Sequence, residues 1–268
     1  MPLGAAAAAA YIAPMQPEPR ALAHFYASPT GQAAARLIGA RLLSLWPELA
    51  GRRLLGLGWT APFLPLWRGQ AERICALIPA ELGPAGWPAG AEHPAGAVAV
   101  GEEERLPFAD RAFDRVLVVH GLEAAGSARR MLREIWRVLE EEGLALFVVP
   151  NRRGIWAHLE HTPFGHGQPY SQGQLARLLA RHLFAVERCE AALFCPPFPW
   201  RPLLAAAAEW ERVGRWLAPA ALAGVVLVEA RKSICGALPV ELAPARAARA
   251  SAAEAGAGRW DGFGAILP

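Results

Sequence analysis

The sequence predicts an α/β chain on one doubly wound, mostly parallel, seven-stranded sheet. Three observations carry this. Strand-like segments alternate with helix-like segments through most of the first half. The strand-like segments are continuous apolar runs, the pattern of strands buried on both faces. Parallel strands are joined by right-handed crossovers, which distribute the helices over both faces. Apolar residues make up 54% of the 268 positions and charged residues 19%, enough for a sizeable core.

Each element follows from its residues. A helical period runs from about Thr30 to Trp46, with Leu37, Ile38, Leu42, Leu45 and Trp46 on one side, Thr30 as N-cap and Pro47 as stop. "RRLLGLG" is the first strand, and a short helix is expected from Pro62, since proline suits a first helical turn. "ERICALIP" is the second strand. The stretch from Ala80 to Gly96 is rich in proline and glycine and reads as loop. "AVAVG" and "AFDRVLVVHG" are the third and fourth strands. Ser127 caps a helix expected to reach Glu142, with Met131, Leu132, Ile135, Trp136 and Leu139 as its apolar stripe. "GLALFVVP" is the fifth strand.

After Pro150 the texture changes to a polar and aromatic loop, "NRRGIWAHLEHTPFGHGQPYSQG". Ser171 then caps a helix through about His182. "LFAVERCEAALF" is the sixth strand, "WRPLLAAAAEWERVGRWL" a helix, and "AGVVLVEARK" the seventh strand. Trp136, Trp200, Trp210 and Trp216 read as core and lid packing. Residues 1–23 are expected to be a disordered leader, 24–236 the folded domain, and 237–268 a disordered tail of Ala, Pro, Arg and Gly.

Composition narrows the function classes. A net charge of +3 is too weak to point to nucleic acid or a membrane surface. No apolar run reaches the ~18 residues that span a bilayer. The N-terminal "MPLGAAAAAAYIAP" lacks a basic n-region, so a flexible leader, or a start at Met15, is expected rather than a signal peptide. Cys75, Cys189, Cys195 and Cys235 stand in no metal-ligand spacing and read as thiols of a reducing cytosol. The abundance of arginine and alanine is that of a GC-rich bacterial genome.

In doubly wound sheets, ligands bind at the carboxyl ends of the strands. That rim collects Gly56 to Thr60, Pro79 to Glu81, Gly101 to Glu104, His120 to Glu123 and Pro150 to Trp156. "GLGWTA" also fits the dinucleotide fingerprint Gly-x-Gly-x-x-Ala, with Glu81 about 20 residues on. A tryptophan in that turn would crowd a pyrophosphate.

The segment "EEERLPFADRAFDRVLVVHGLE…MLREIWRVLEEEGLALFVVPNRRGIW" resembles the class I S-adenosylmethionine-dependent methyltransferases, in particular the type 11 group. The resemblance spans about Ala33 to Lys232. "GLG", "PNRRG-x-W" and "TPFGHGQPYS" are similar to a bacterial subgroup of that family. It implies a Rossmann-like sheet with an antiparallel last strand, S-adenosylmethionine as cofactor, and methyl transfer to a small or medium acceptor in the cytoplasm.

Carried over residue by residue, the family's glycine loop falls on Gly56, Leu57, Gly58, Trp59 and Thr60. Gly56 stands at the family's acidic position. Thr60 and Pro62 replace two glycines. Pro79 replaces the acid that binds the ribose, with Glu81 close by. Glu102 matches the acid near the adenine, with Glu103 beside it, and His120 stands where the fourth strand meets the cofactor.

The residues themselves suggest their chemistry. The Trp59 ring suits a sulfonium or an adenine, and the Thr60 hydroxyl a carboxylate. A helix after the turn would aim free N–H groups at that carboxylate. Tyr26, Asn151, Arg152, Arg153, Trp156 and His166 are expected on the acceptor side, where arginines suit an anionic acceptor. Methyl transfer needs mainly proximity and orientation. A general base is optional, with His120 and His166 as candidates. His158, His161 and His166 match no zinc spacing, and no metal is expected. The altered loop keeps a second class open: a non-catalytic protein that binds S-adenosylmethionine or S-adenosylhomocysteine, or an interaction module.

Overall fold

The computed structural model describes residues 19–79, 98–159, 162–197, 204 and 206–233. Helices α1 (Pro19–Ala27) and α2 (Pro29–Leu45) come first. They are separated by Ser28, whose extended backbone and side chain form the cap: the Gly31 N–H donates to Ser28 Oγ at 3.1 Å. The cap is therefore Ser28 rather than Thr30, because Pro29 supplies the preset φ at the first helical position. Helix α1 starts inside the stretch 1–23 expected to be unstructured. The rest of that leader, the loop 80–96, and the tail from 237 lie outside the described residues.

The sheet follows: β1 (Arg53–Gly58), β2 (Arg73–Pro79), β3 (Val98–Gly101), β4 (Phe113–Val119), β5 (Leu139–Pro150), β6 (Phe184–Ala192) and β7 (Val225–Lys232). Its order is β3-β2-β1-β4-β5-β7-β6. The first five strands are parallel, and β7 runs antiparallel to both β5 and β6. The expected seven-stranded, mostly parallel sheet is present with its antiparallel last strand. The order turns back between β1 and β4, so the cleft of interest lies at their carboxyl ends.

Both faces are buried, which explains the continuous apolar runs. Leu54, Ile74, Leu117, Val119, Leu146 and Leu227 pack toward Ile38 and Leu42 of α2. Leu55, Leu77, Val116, Val118, Phe147 and Val228 pack on the opposite face. Their partners are Leu132 and Ile135 of α3 (Ala128–Val138) and Leu175 and Leu179 of α4 (Gln172–Arg181). A capping box fastens the start of α4: Ser171 Oγ accepts from Gln174 N–H, and Gln174 Oε1 accepts from Ser171 N–H.

Two elements differ from expectation. Helix α3 stops at Val138 rather than Glu142, because Leu139 pairs with Phe113 and is drawn into β5. Glu140, Glu141 and Glu142 then stand along the strand and meet Arg53, Arg111 and Arg231. The helix expected from Pro62 is a four-residue 3-10 turn, Leu64–Trp67. Phe63, Leu64 and Trp67 all enter the core there, and Trp67 Nε1 donates to Trp46 O. On α5 (Ala207–Leu217), Trp210 and Trp216 are exposed rather than core. Trp136 donates to Ser233 O, and Trp200 lies outside the described residues.

Asp114 ties the starts of β1 and β4 together, and Glu134 of α3 holds the loop after β3. Burial raises the pKa of Asp114, but the Arg53 N–H and guanidinium outweigh it, and the net shift is downward. The Arg137 guanidinium, with help from the Leu106 N–H, holds Glu134 down as well. A folded-state pKa below the unfolded value means stability that is present at neutral pH and lost as pH falls through the unfolded value toward the folded one. Denaturant midpoints should therefore fall between about pH 5 and pH 3. Asp114→Asn should flatten that slope while lowering the neutral plateau; an unchanged slope would remove Asp114 from the account.

Candidate active site at the carboxyl rim

The turn after β1 is built for close approach to β4. Gly58 has φ +74°, and a Cβ there would lie 2.3 Å from Val119 O. The next residue closes the junction, with Trp59 N–H donating to Val119 O at 2.7 Å. Gly56 serves a similar purpose: a Cβ there would meet Thr60 Oγ1 at 2.4 Å. The position where the resemblance places an acid is thus empty because Thr60 fills its side-chain space. Leu57 is buried in the opposite core layer. Trp59 and Thr60 are themselves almost wholly buried, so neither faces an open cleft. The turn runs into the short 3-10 segment, so no array of helical N–H groups faces the loop. That removes the expected carboxylate seat. It also removes the helix a dinucleotide fingerprint requires for its pyrophosphate.

His120 ends β4 in the left-handed region, with φ +52°. A non-glycine residue held there marks a site where the surroundings impose the conformation. Its ring is fixed from both sides. Nδ1 lies 3.0 Å from Glu123 Oε1, and Nε2 lies 2.8 Å from the Tyr26 hydroxyl. A carboxylate only accepts, so Nδ1 carries the proton and Nε2 accepts from Tyr26 O–H. Burial, then the Glu123 charge, raises the Tyr26 pKa, which keeps the phenol a donor. All three side chains are buried.

Around this chain lies an aromatic wall. Tyr26 stacks on Trp59 with ring centroids 6.5 Å apart, and Phe63 meets Tyr26 edge-on at 6.1 Å. Phe164 packs on His120 at 4.9 Å and on Trp156 at 5.1 Å. Phe25 of α1 joins the same group. Helix α1 therefore covers the β1–β4 end of the rim. Two buried polar atoms, Trp59 Nε1 and Glu123 Oε2, have no hydrogen-bond partner among the described residues.

The remaining candidates divide. Asn151 and Trp156 are buried and structural. Asn151 Nδ2 donates to the carbonyls of Ala220, Ala221 and Ala223, and Trp156 Nε1 donates to Cys195 O. Asn151 thus latches the loop after β5 to the segment before β7, and Trp156 ties it to the turn after β6. Arg152 and Arg153 are exposed, and Arg152 lines a cavity with Tyr170. His166 is half-buried, His158 exposed, and His161 and Glu81 lie outside the described residues. Glu102 is exposed just beyond β3. Glu103 is half-buried, with Oε1 3.4 Å from where a Gly121 Cβ would stand. Among the described residues, no group of three His, Cys, Asp or Glu could hold a metal. Glu123 was the residue to add; its signal is the three-residue spacing from His120 directly after a strand.

A methyltransferase-domain family model matches residues 81–147, from the end of β2 into β5. The chain has a class I methyltransferase fold. The family to which the matched segment points uses S-adenosylmethionine. Three solved structures show the shared architecture. An S-adenosylmethionine-dependent methyltransferase from Mesorhizobium loti is 19% identical, with TM-score 0.53, over 72% of this chain and 96% of that one. One from Archaeoglobus fulgidus is 17% identical, with TM-score 0.52, over 74% and 94%. A Haloferax volcanii methyltransferase structure, a complex with the activator Trm112, is 18% identical, with TM-score 0.52, over 78% and 91%. No curated protein matches the chain. Among the described residues of this methyltransferase fold, no helix is long and apolar enough to cross a membrane.

Proposed function

We propose that the protein transfers a methyl group from S-adenosylmethionine to a small or medium acceptor in the cytosol, after α1 withdraws Tyr26 from the rim. The observation that carries this reading is the Tyr26–His120–Glu123 chain at the carboxyl end of β4. The cofactor's methionine end has a carboxylate and an ammonium. Trp59 Nε1–H and Glu123 Oε2, both buried without a partner among the described residues, are the matching donor and acceptor. Glu102, exposed beyond β3, suits the adenosine end. The residues fit the group with Tyr26 displaced.

When bound, S-adenosylmethionine supplies an electrophilic methyl carbon on a sulfonium. The chain supplies the rest. Glu123 holds His120 in the tautomer that leaves Nε2 free to accept. Tyr26 O–H now occupies the place of an acceptor hydroxyl or amine. A base held this way is worth about 10²–10⁴-fold in rate. The aromatic wall excludes water from that proton transfer.

A second reading is a non-catalytic binding or interaction protein. It is favoured by the filled acid position at Gly56 and by the missing helix after the turn. Calorimetric titration of S-adenosylmethionine and S-adenosylhomocysteine into the full chain and into Tyr26→Ala separates a cofactor-binding protein from an interaction module, and turnover of S-adenosylmethionine to S-adenosylhomocysteine then separates methyl transfer from binding alone. Methyl transfer predicts binding of both, tighter in Tyr26→Ala at least about threefold, because the competing side chain is gone. No binding to either protein, with both folded by circular dichroism, would sink the methyl-transfer reading and leave the interaction module.

A further inference from the structure

The loop after β5 and the outer face of α4 enclose a second feature, separate from the aromatic rim. A cavity of about 570 Å³ is lined by Arg152, Gln168, Tyr170, Gln174, Arg177 and Arg181 among others. That volume lies within the range of small-molecule sites. Its lining is cationic. Arg177 and Arg181 are four residues apart on α4 and project from one face, an arrangement of like charges that disfavours the helix. Arg152 reaches the same cavity from the loop, which the Arg152 N–H bond to Tyr170 O pins in place.

Several other arginines are ion-paired. Arg53, Arg137, Arg188 and Arg231 each hold a carboxylate within 3.0 Å. The guanidinium groups of Arg152, Arg177 and Arg181 make no ion pair or hydrogen bond to any described residue. Three guanidinium groups with no carboxylate partner among the described residues make one side of the cavity positive. Burial, then the charges of Arg129 and Arg181, push the pKa of the neighbouring His182 down. Neutral donors complete the lining. Gln174 spends its Oε1 on the Ser171 N–H and keeps its Nε2 donor, and the half-buried Tyr170 offers a ring and a hydroxyl.

We propose that this cavity binds a small molecule carrying phosphate groups. Guanidinium forks match phosphate oxygens two at a time, and arginine rather than lysine is the residue suited to that geometry. The aromatic ring and the amide donors leave room for an organic portion. The site stands independently of the methyl-transfer reading, since it uses no residue of the Tyr26–His120–Glu123 chain. It borders the same rim, however: the Gln168 N–H donates to Glu123 O at 2.9 Å.

The test is titration of inorganic pyrophosphate into the full-length protein at about 0.15 M salt, followed by calorimetry, with citrate as the carboxylate arm. Saturable pyrophosphate binding is expected, weakened about tenfold or more in Arg177→Gln and in Arg181→Gln. Both side chains are exposed, so the variants should keep the parent melting temperature. Arg212→Gln, on α5, should bind as the parent does. Absence of saturable binding would overturn the proposal. So would equal weakening by Arg212→Gln, or citrate binding as tightly as pyrophosphate.

Discussion

Replacing Arg188 by methionine should cost about 3 kcal/mol of stability and lower the melting temperature by roughly 10 °C. The cost falls on its partner. Glu229 lies within β7 at 1% exposure. Arg188 clasps it with two nitrogens while also donating to Leu45 O, and Trp46 Nε1 donates to the same carboxylate. Without Arg188, a buried carboxylate keeps one neutral donor. Arg188 is itself half exposed, so the penalty is not symmetric: the arginine can return to water, the carboxylate cannot. The double replacement Arg188→Met with Glu229→Met should recover much of the loss, because removing both charges also removes the desolvation cost. Thermal unfolding by circular dichroism decides it, and a single variant within about 1 kcal/mol of the parent would refute the account.

Gly58→Val should destabilise the fold by about 3 kcal/mol or more, whether or not any ligand is present. Two costs add: a β-branched residue at φ +74°, and a Cβ 2.3 Å from a backbone carbonyl that β4 holds in place. Gly69 separates them. It has φ +78° but nothing within 4 Å of its Cβ position. Gly69→Ala should therefore show the conformational cost alone, about 1–2 kcal/mol. If the two variants unfold at the same temperature, the close approach to Val119 is not what Gly58 is for. The comparison bears directly on function. A loss of cofactor binding in Gly58→Val would report a damaged strand junction, and Tyr26 variants are the cleaner probe.

Much of the fold was legible because burial on two faces leaves an unmistakable pattern. "RLLGLG", "RICALIP" and "FDRVLVV" could be little else than central strands, and Ser127 and Ser171 marked helix starts by their side-chain chemistry. The failures have physical causes. "LEEEG" is made of good helix formers, so local preference extended α3; the pairing of Leu139 with Phe113 overrode it. Pro62 announced a helix, but the need to bury Phe63, Leu64 and Trp67 together shortened it to one 3-10 turn. At the site, His120 was readable from its place at a strand end. Its partner Tyr26 is 94 residues away, and no local period joins the two. Asn151 and Trp156 looked like acceptor contacts because polar and aromatic residues on a rim usually do. Their polar groups turned inward instead, Asn151 to carbonyls of the segment before β7 and Trp156 to the Cys195 carbonyl after β6. Arg177 and Arg181 were hidden inside an ordinary amphipathic helix pattern.

The bond from Trp46 to Glu229 spans 183 residues. It joins the end of α2, made early on the ribosome, to the strand made last. Domains fold as units once their whole length is available. Until β7 leaves the exit tunnel, the end of α2 lacks its tie to Glu229. A nascent chain stalled before Val225 and one released after Lys232 should therefore differ in protease sensitivity at the end of α2.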